Sequence, residues 1–320
     1  METKTIIVAA LLLAPLPALD AQHGVIREYA ALAPQPDAVP LAPLFDAPLT
    51  DTSITVGPDK AFYLTGSAVD EHRAVFANRI ACWRSTDKKQ WTLLRSLDLT
   101  GTKASSPELH FLDGRFWLTL GREGGGTELL RFDTADLTTS GFRQARVTES
   151  GEDPSLFRDD DGTFFWVTGA GEIARMKANP LDGLAGPPVK MPVRIAGPKA
   201  QQADQTVRNL RGAFLAKIND KYHLFVTGQL HRNGLGRTGL PEGVDDVLVA
   251  ASEKPEAGYS DFYVAFPNAG QTTLFRDPAG ALWATYSGND ERAILRWKPG
   301  AFQVELVPAT EAFWTIGFGS

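Results

Sequence analysis

"RGAFLAKINDKYHLFVTG", residues 211–228, reads as a strand, a tight turn and a returning strand. Small and apolar residues lead to Asn219–Asp220, a pair suited to a hairpin turn, and an aromatic-rich run starts at Tyr222. The same shape recurs four times: "DTSITVGPDKAFYLTGS" from Asp51, "SPELHFLDGRFWLTLG" from Ser106, "DPSLFRDDDGTFFWVTG" from Asp153 and "QTTLFRDPAGALWATYSG" from Gln271. The returning strands begin at Phe62, Phe116, Phe164, Tyr222 and Leu282, roughly 48 to 60 residues apart, close to the period of one propeller blade.

Two further strands fit between successive hairpins. They are "RIACWRS" and "QWTLLRS" after the first, "TELLRFD" and "FRQARVT" after the second, and "GEIARMK" and "PPVKMPVRI" after the third. Four short antiparallel strands per unit, five units and no amphipathic helix pattern predict an all-β chain folded as a five-bladed β-propeller. Alternating helices, which a Rossmann or TIM architecture needs, are not found. The ring forms one domain, residues 49–320, and "FWTIGFG" near the C-terminus is expected to close it against the leader or the first blade. Trp83, Trp91, Trp117, Trp166 and Trp283 are read as packing between blades. "GREGGGTELL" and "RDDDGT" resemble phosphate and calcium loops only in part, and are read as turns.

Composition excludes other classes. Acidic and basic residues are interspersed along 320 residues with a net charge of −6, so neither nucleic acid nor an anionic membrane is the expected partner. The lone Cys82 cannot form an intramolecular disulfide and is read as a buried strand residue. Residues 1–21 carry Lys4, an apolar run from Ile6 to Leu13 and small residues at Ala18 and Ala21, the pattern of a secretory signal. A Pro-rich leader, residues 22–48, follows, and the expected location is periplasmic or secreted, as a monomer.

In a propeller the innermost strand of each blade runs along the central channel, so its first residue faces the channel mouth. Counting back about eleven residues from each return places Asp51, Asp153, Arg211 and Gln271 there. The second hairpin has a turn about one residue shorter, which places Ser106 in that slot and Glu108 two residues on. Like charges gathered at a narrow mouth repel and resist desolvation, so this convergence points to a site rather than to structure. Two carboxyl groups across a cleft suit glycosidic bond hydrolysis, one activating water and the other protonating the leaving oxygen.

The opening hairpins "TDTSITVGPDKAFYLTGS", "SPELHFLDGRFWLTL", "EDPSLFRDDDGTFFWV" and "RGAFLAKINDKYHLFV" resemble those of blades one to four in glycoside hydrolase family 43 and its relatives, which include arabinofuranosidases and xylosidases. The resemblance runs from about residue 49 to 298 and implies a glycosidase acting on plant or algal polysaccharide fragments. It implies that Asp51 is the general base and that Asp153 orients the acid and tunes its pKa. The family's acid is a Glu in a fourth-blade "EG" motif, and that position here is Arg211, which stays protonated and cannot cycle a proton. Glu108 is the first candidate to replace it, with sugar-hydroxyl acceptor as its other reading. His231, in "HRNGLGRTGL", is a second candidate, and a substrate that needs no protein acid is a third. His110 is read as lying along its strand. Many relatives have a His near a central water or metal where this chain has Gln271, a poorer ligand, so no metal is expected and no organic cofactor is implied.

Arg208, Arg211, Arg232 and Arg237 cluster around the fourth blade. Guanidinium groups grip carboxylates and sulfates in a fork, so an anionic oligosaccharide is a candidate substrate, with Ser106, Arg208, Arg211, His231 and Gln271 as binding residues. Two alternatives stand beside hydrolysis: a catalytically silent glycan-binding propeller, and a lyase acting on a uronate neutralised by Arg211.

Overall fold

The computed structural model describes residues 39–40, 49–68, 77–99, 103–195, 205–232, 245–266, 269–288 and 291–296. The expected signal segment, Arg237 and "FWTIGFG" lie outside these residues.

The described strands begin with β1 (Val39–Pro40). The first blade is β2 (Leu49–Val56), β3 (Phe62–Ala68), β4 (Arg79–Ser85) and β5 (Thr92–Asp98). The second is β6 (Ala104–Leu112), β7 (Arg115–Arg122), β8 (Thr127–Phe132) and β9 (Phe142–Thr148), and the third is β10 (Ser155–Arg158), β11 (Phe164–Thr168), β12 (Glu172–Arg175) and β13 (Val189–Lys190). The fourth is β14 (Gln205–Ile218), β15 (Lys221–Arg232), β16 (Asp246–Ser252) and β17 (Tyr263–Phe266). The fifth runs outward through β18 (Gly270–Arg276), β19 (Leu282–Gly288) and β20 (Glu291–Arg296) to β1, which pairs Val39 with Ile294. All five sheets are antiparallel, and among the described residues it is the leader segment Val39–Pro40 that completes the last one. The first strand of each blade touches that of the next, from β2 through β6, β10, β14 and β18 back to β2.

The core follows the same ring. One apolar cluster lies at each blade junction: Cys82 with Phe116 and Leu118 between the first and second, Trp117 with Trp166 between the second and third, and Phe165 with Tyr222 and Leu224 between the third and fourth. Phe225 with Ala284 joins the fourth to the fifth, and Trp83 with Phe275 joins the fifth to the first, with Trp91 and Trp283 packed against that last cluster. Each strand alternates its side chains between two neighbouring blades, so a blade cannot bury its faces alone. Burial holds the Cys82 thiol far from ionisation, its pKa pushed up to about 12.

Hydroxyl groups on the second strands pin one blade to the next. Thr119 donates to the Pro154 carbonyl at 2.6 Å and Thr285 to that of Thr52 at 2.7 Å, while Ser67 and Thr227 each accept, at 2.7 Å, from the backbone N–H of Ser106 and Gln271. These four contacts hold the starts of the inner strands of the first, second, third and fifth blades at the mouth.

Candidate active site

The start of each inner strand carries a residue in left-handed backbone, within a bulge in the first, second, fourth and fifth blades. Asp51, Ser106, Asp153 and Gln271 have φ of 51°, 49°, 48° and 47°. Such torsions are uncommon for residues with a side chain and cost about 1 kcal/mol or more each, so their recurrence at one height around the channel marks a built site. The fifth member of the set is Gly212, with φ 59°.

Strand register proves the equivalence and corrects the expected slot. The residues paired with the returns Phe62, Phe116, Phe164, Tyr222 and Leu282 are Val56, Phe111, Arg158, Lys217 and Arg276. Counting back the same distance from each reaches Asp51, Ser106, Asp153, Gly212 and Gln271. The fourth hairpin turns through Asn219–Asp220, both left-handed, and is one residue shorter than the first, third and fifth, as the second is at Asp113–Gly114. Arg211 therefore stands one residue before the mouth position, level with Thr50, Ser105, Glu152 and Gly270.

Asp51 and Asp153 meet through Ser106. The Ser106 hydroxyl lies 2.5 Å from Asp153 Oδ1 and 3.4 Å from Asp51 Oδ2, and having one proton it donates to one carboxylate at a time. These legs bring the two nearest oxygens closer than the roughly 6.5–9.5 Å that an inverting acid and base need for a water between them. The pair therefore lacks the spacing of an inverting acid and base. Asp153 Oδ2 also accepts the Gly212 N–H at 3.1 Å, which ties the third blade to the fourth. The sequence reading missed Ser67, whose hydroxyl donates to Asp51 Oδ2 at 2.9 Å while its oxygen accepts the Ser106 N–H. The one signal for it is the hydroxyl that follows the glycine in "LTGS".

Asp51 is buried, with 8 % of its surface exposed. Burial first, and then the neighbouring Asp153 charge, push its pKa up to about 7 against the lowering effect of hydrogen bonds from Ser67, Thr50 and Ser106.

Glu108 lies two residues beyond Ser106 along β6, as expected, and lines the mouth cleft with Asp51 and Asp153. It is buried and borders two spaces: the cleft that also holds Asp51, Asp153 and Gln271, and a chamber of about 270 Å³ deeper in the channel. Ser155 donates to Glu108 Oε1 at 2.9 Å. His110 lies along β6 as expected, paired with Trp117, and borders this lower chamber with its Nε2 2.9 Å from Glu108 Oε1 but without the alignment of a hydrogen bond.

Of the four arginines expected around the fourth blade, the described side chains are those of Arg208 and Arg211. Arg211 pairs with Asp245 and donates to the Asn209 carbonyl at 3.2 Å, so the guanidinium expected to meet an anionic sugar already meets a carboxylate. Arg208 is exposed on the upper part of β14, its backbone paired with Gln229. His231, expected on a loop, belongs to β15 and pairs along the backbone with Thr206. The runs at 122–126 and 159–163 close turns, Arg122 N–H to the Gly126 carbonyl and Asp159 N–H to that of Thr163. Among the described residues no three His, Cys, Asp or Glu side chains converge as a metal-binding group, and none of the helices is long and apolar enough to cross a membrane.

The family model of glycosyl hydrolases family 43 matches residues 41–302. A comparison with curated proteins found no match. Among solved structures, a family 43 protein of Bacillus licheniformis is 18% identical with a TM-score of 0.57, covering 78% of this chain and 50% of its own. A xylan β-1,4-xylosidase of Bacillus halodurans is 19% identical with a TM-score of 0.58, over 80% of this chain and 53% of its own, so this chain spans about half the length of both. An endo-arabinase of Bacteroides thetaiotaomicron is 17% identical with a TM-score of 0.58, over 82% of this chain and 98% of its own. At these identities the solved structures establish the propeller fold.

Proposed function

This chain belongs to glycosyl hydrolases family 43, and from that premise we propose that it hydrolyses glycosidic bonds in plant polysaccharide fragments, with Asp51 as the group that activates water. The observation that carries this reading is the buried, left-handed Asp51, joined to Asp153 through Ser106 and raised to about 7. A base titrating near neutrality combines a usable ionised fraction with enough basicity to take a proton from water. Ionised Asp51 accepts the Ser67 hydroxyl and takes a proton from the water attacking the anomeric carbon. Asp153 shares the Ser106 hydroxyl with Asp51 and, through the Gly212 N–H, holds the fourth-blade strand at the height of the reaction.

Glu108 is the proton donor in this scheme, because its carboxyl borders the same cleft as Asp51. In the family pattern the donor would stand at Arg211, which is bound to Asp245. That substitution supports the second reading, a glycan-binding propeller without turnover. Secretion to the periplasm or medium belongs to the proposal as well, and rests on the apolar run Ile6–Leu13 and the small residues at Ala18 and Ala21.

Incubation with neutral and acidic oligosaccharides from plant walls tests it. Hydrolysis gives new reducing ends without ultraviolet absorbance, elimination gives an absorbing unsaturated product, and silent binding gives neither.

A further inference from the structure

Beside the mouth, where the fourth blade meets the fifth, four polar side chains form a network that the catalytic scheme does not use. Arg211 pairs with Asp245 Oδ2, and Gln229 Nε2 donates to Asp245 Oδ1 at 3.4 Å. Asn209 Nδ2 donates to Gln229 Oε1 at 2.7 Å, and the Asn209 carbonyl accepts from Arg211 Nη1. Asn209 holds this position in left-handed backbone, φ 51°. Asp245 packs over Gly270, where an added Cβ would lie 3.4 Å from its Oδ2, so the network abuts Gln271 of the mouth ring. The side chains of Arg211 and Asp245 remain 31% and 28% exposed, and Arg211 directly precedes Gly212, which lines the mouth cleft.

We propose that this network is a sugar-binding subsite selective for an uncharged, hydroxyl-rich residue, and that Asp245 sets the selectivity. The proposal rests on the reading of the mouth as a glycan site. A sugar hydroxyl both donates and accepts, and the network offers a carboxylate as acceptor beside guanidinium and amide donors. Its charges cancel. A uronate or sulfated sugar would have to displace Asp245 from Arg211 and would leave that carboxylate unpaired, close to the further carboxylates of the mouth. A neutral sugar meets no such penalty, and an interface that rejects ligands through a fixed like charge gains specificity without new attractive contacts.

Calorimetric titration tests this, using a neutral xylo-oligosaccharide and the same oligosaccharide bearing a glucuronic acid branch. The parent chain is expected to bind the neutral ligand at least tenfold more tightly. Asp245→Asn frees the Arg211 charge and should erase or reverse that ratio, with the gained uronate binding weakened by added salt. Arg211→Gln leaves Asp245 unpaired and should sharpen the discrimination, which keeps the test decisive if the first variant does not fold. An unchanged ratio in both variants, a parent that prefers the uronate, or a parent that binds neither ligand overturns the subsite. The predicted binding ratios without any new reducing ends would overturn hydrolysis and leave the subsite standing.

Discussion

Asp51 and Asp153, contributed by the first and third blades, are coupled through the one hydroxyl of Ser106, which lies 2.5 Å from Asp153 Oδ1 and 3.4 Å from Asp51 Oδ2. Ser106→Ala removes that hydroxyl. A hydrogen bond to a charged group contributes about 1.5–3 kcal/mol, so kcat/KM should fall about ten- to a hundredfold. Because the Ser106 bond lowers the Asp51 pKa, its loss should also move the acid limb of the rate profile to higher pH. A Ser106→Ala variant with the parent's rate and profile would show that the bridge is incidental.

The pH profile itself follows from Asp51. A base must be ionised, so kcat/KM should rise through about pH 7 and be lost below it. Asp153 contributes to that high value by its charge. In Asp153→Asn the repulsion is gone, so the limb should move to lower pH even as the maximal rate falls. A limb that stays in place would sever the electrostatic link between the two residues.

Asp51 also carries a stability signature. Its pKa is raised on folding from 3.8 to about 7, so the folded chain favours the protonated form. The group is neutral in both states below pH 4, and above that folding is increasingly penalised until pH passes about 7. At 1.36 kcal/mol per pH unit the penalty reaches about 4 kcal/mol. Asp51→Asn, uncharged throughout, should therefore raise the melting temperature at pH 8 and leave it nearly unchanged at pH 3.5. Equal shifts at both pH values would refute the buried-charge explanation.

Ring closure can be weakened without touching the site. Lys88, in the turn between β4 and β5, sits 4.5 Å from the ring centres of both Phe62 and Trp283, and so bridges the first and fifth blades. Cation–π contacts at partly exposed positions contribute about 0.5–1 kcal/mol each. Lys88→Ala should lower stability by about 1–2 kcal/mol in denaturant titrations, with kcat/KM unchanged.

The architecture was legible because hairpin, period and aromatic return repeat in "DTSITVGPDKAFYL", "SPELHFLDGRFW" and their counterparts, and burial at each junction demands that pattern. Asp51, Ser106, Asp153 and Gln271 were legible for the same reason. Arg211 was placed one residue too far in because the Asn219–Asp220 turn is shorter, and a count from the aromatic return absorbs that difference silently. The equivalent residue, Gly212, has no side chain to announce it. Asp245 opens no hairpin: it precedes β16 and comes to the rim only through the fold. Glu108 and His110 alternate along β6, so both face the channel, a consequence of strand period that the motif reading passed over.

The most direct test of the site is the rate of Asp51→Asn on a neutral arabino- or xylo-oligosaccharide that the parent cleaves, measured at pH 8 by release of reducing ends. A positioned base contributes about 10²–10⁴-fold, so kcat/KM should drop at least a hundredfold while the fold and the oligosaccharide affinity persist. Turnover within threefold of the parent would contradict the assignment of Asp51 as the water-activating base.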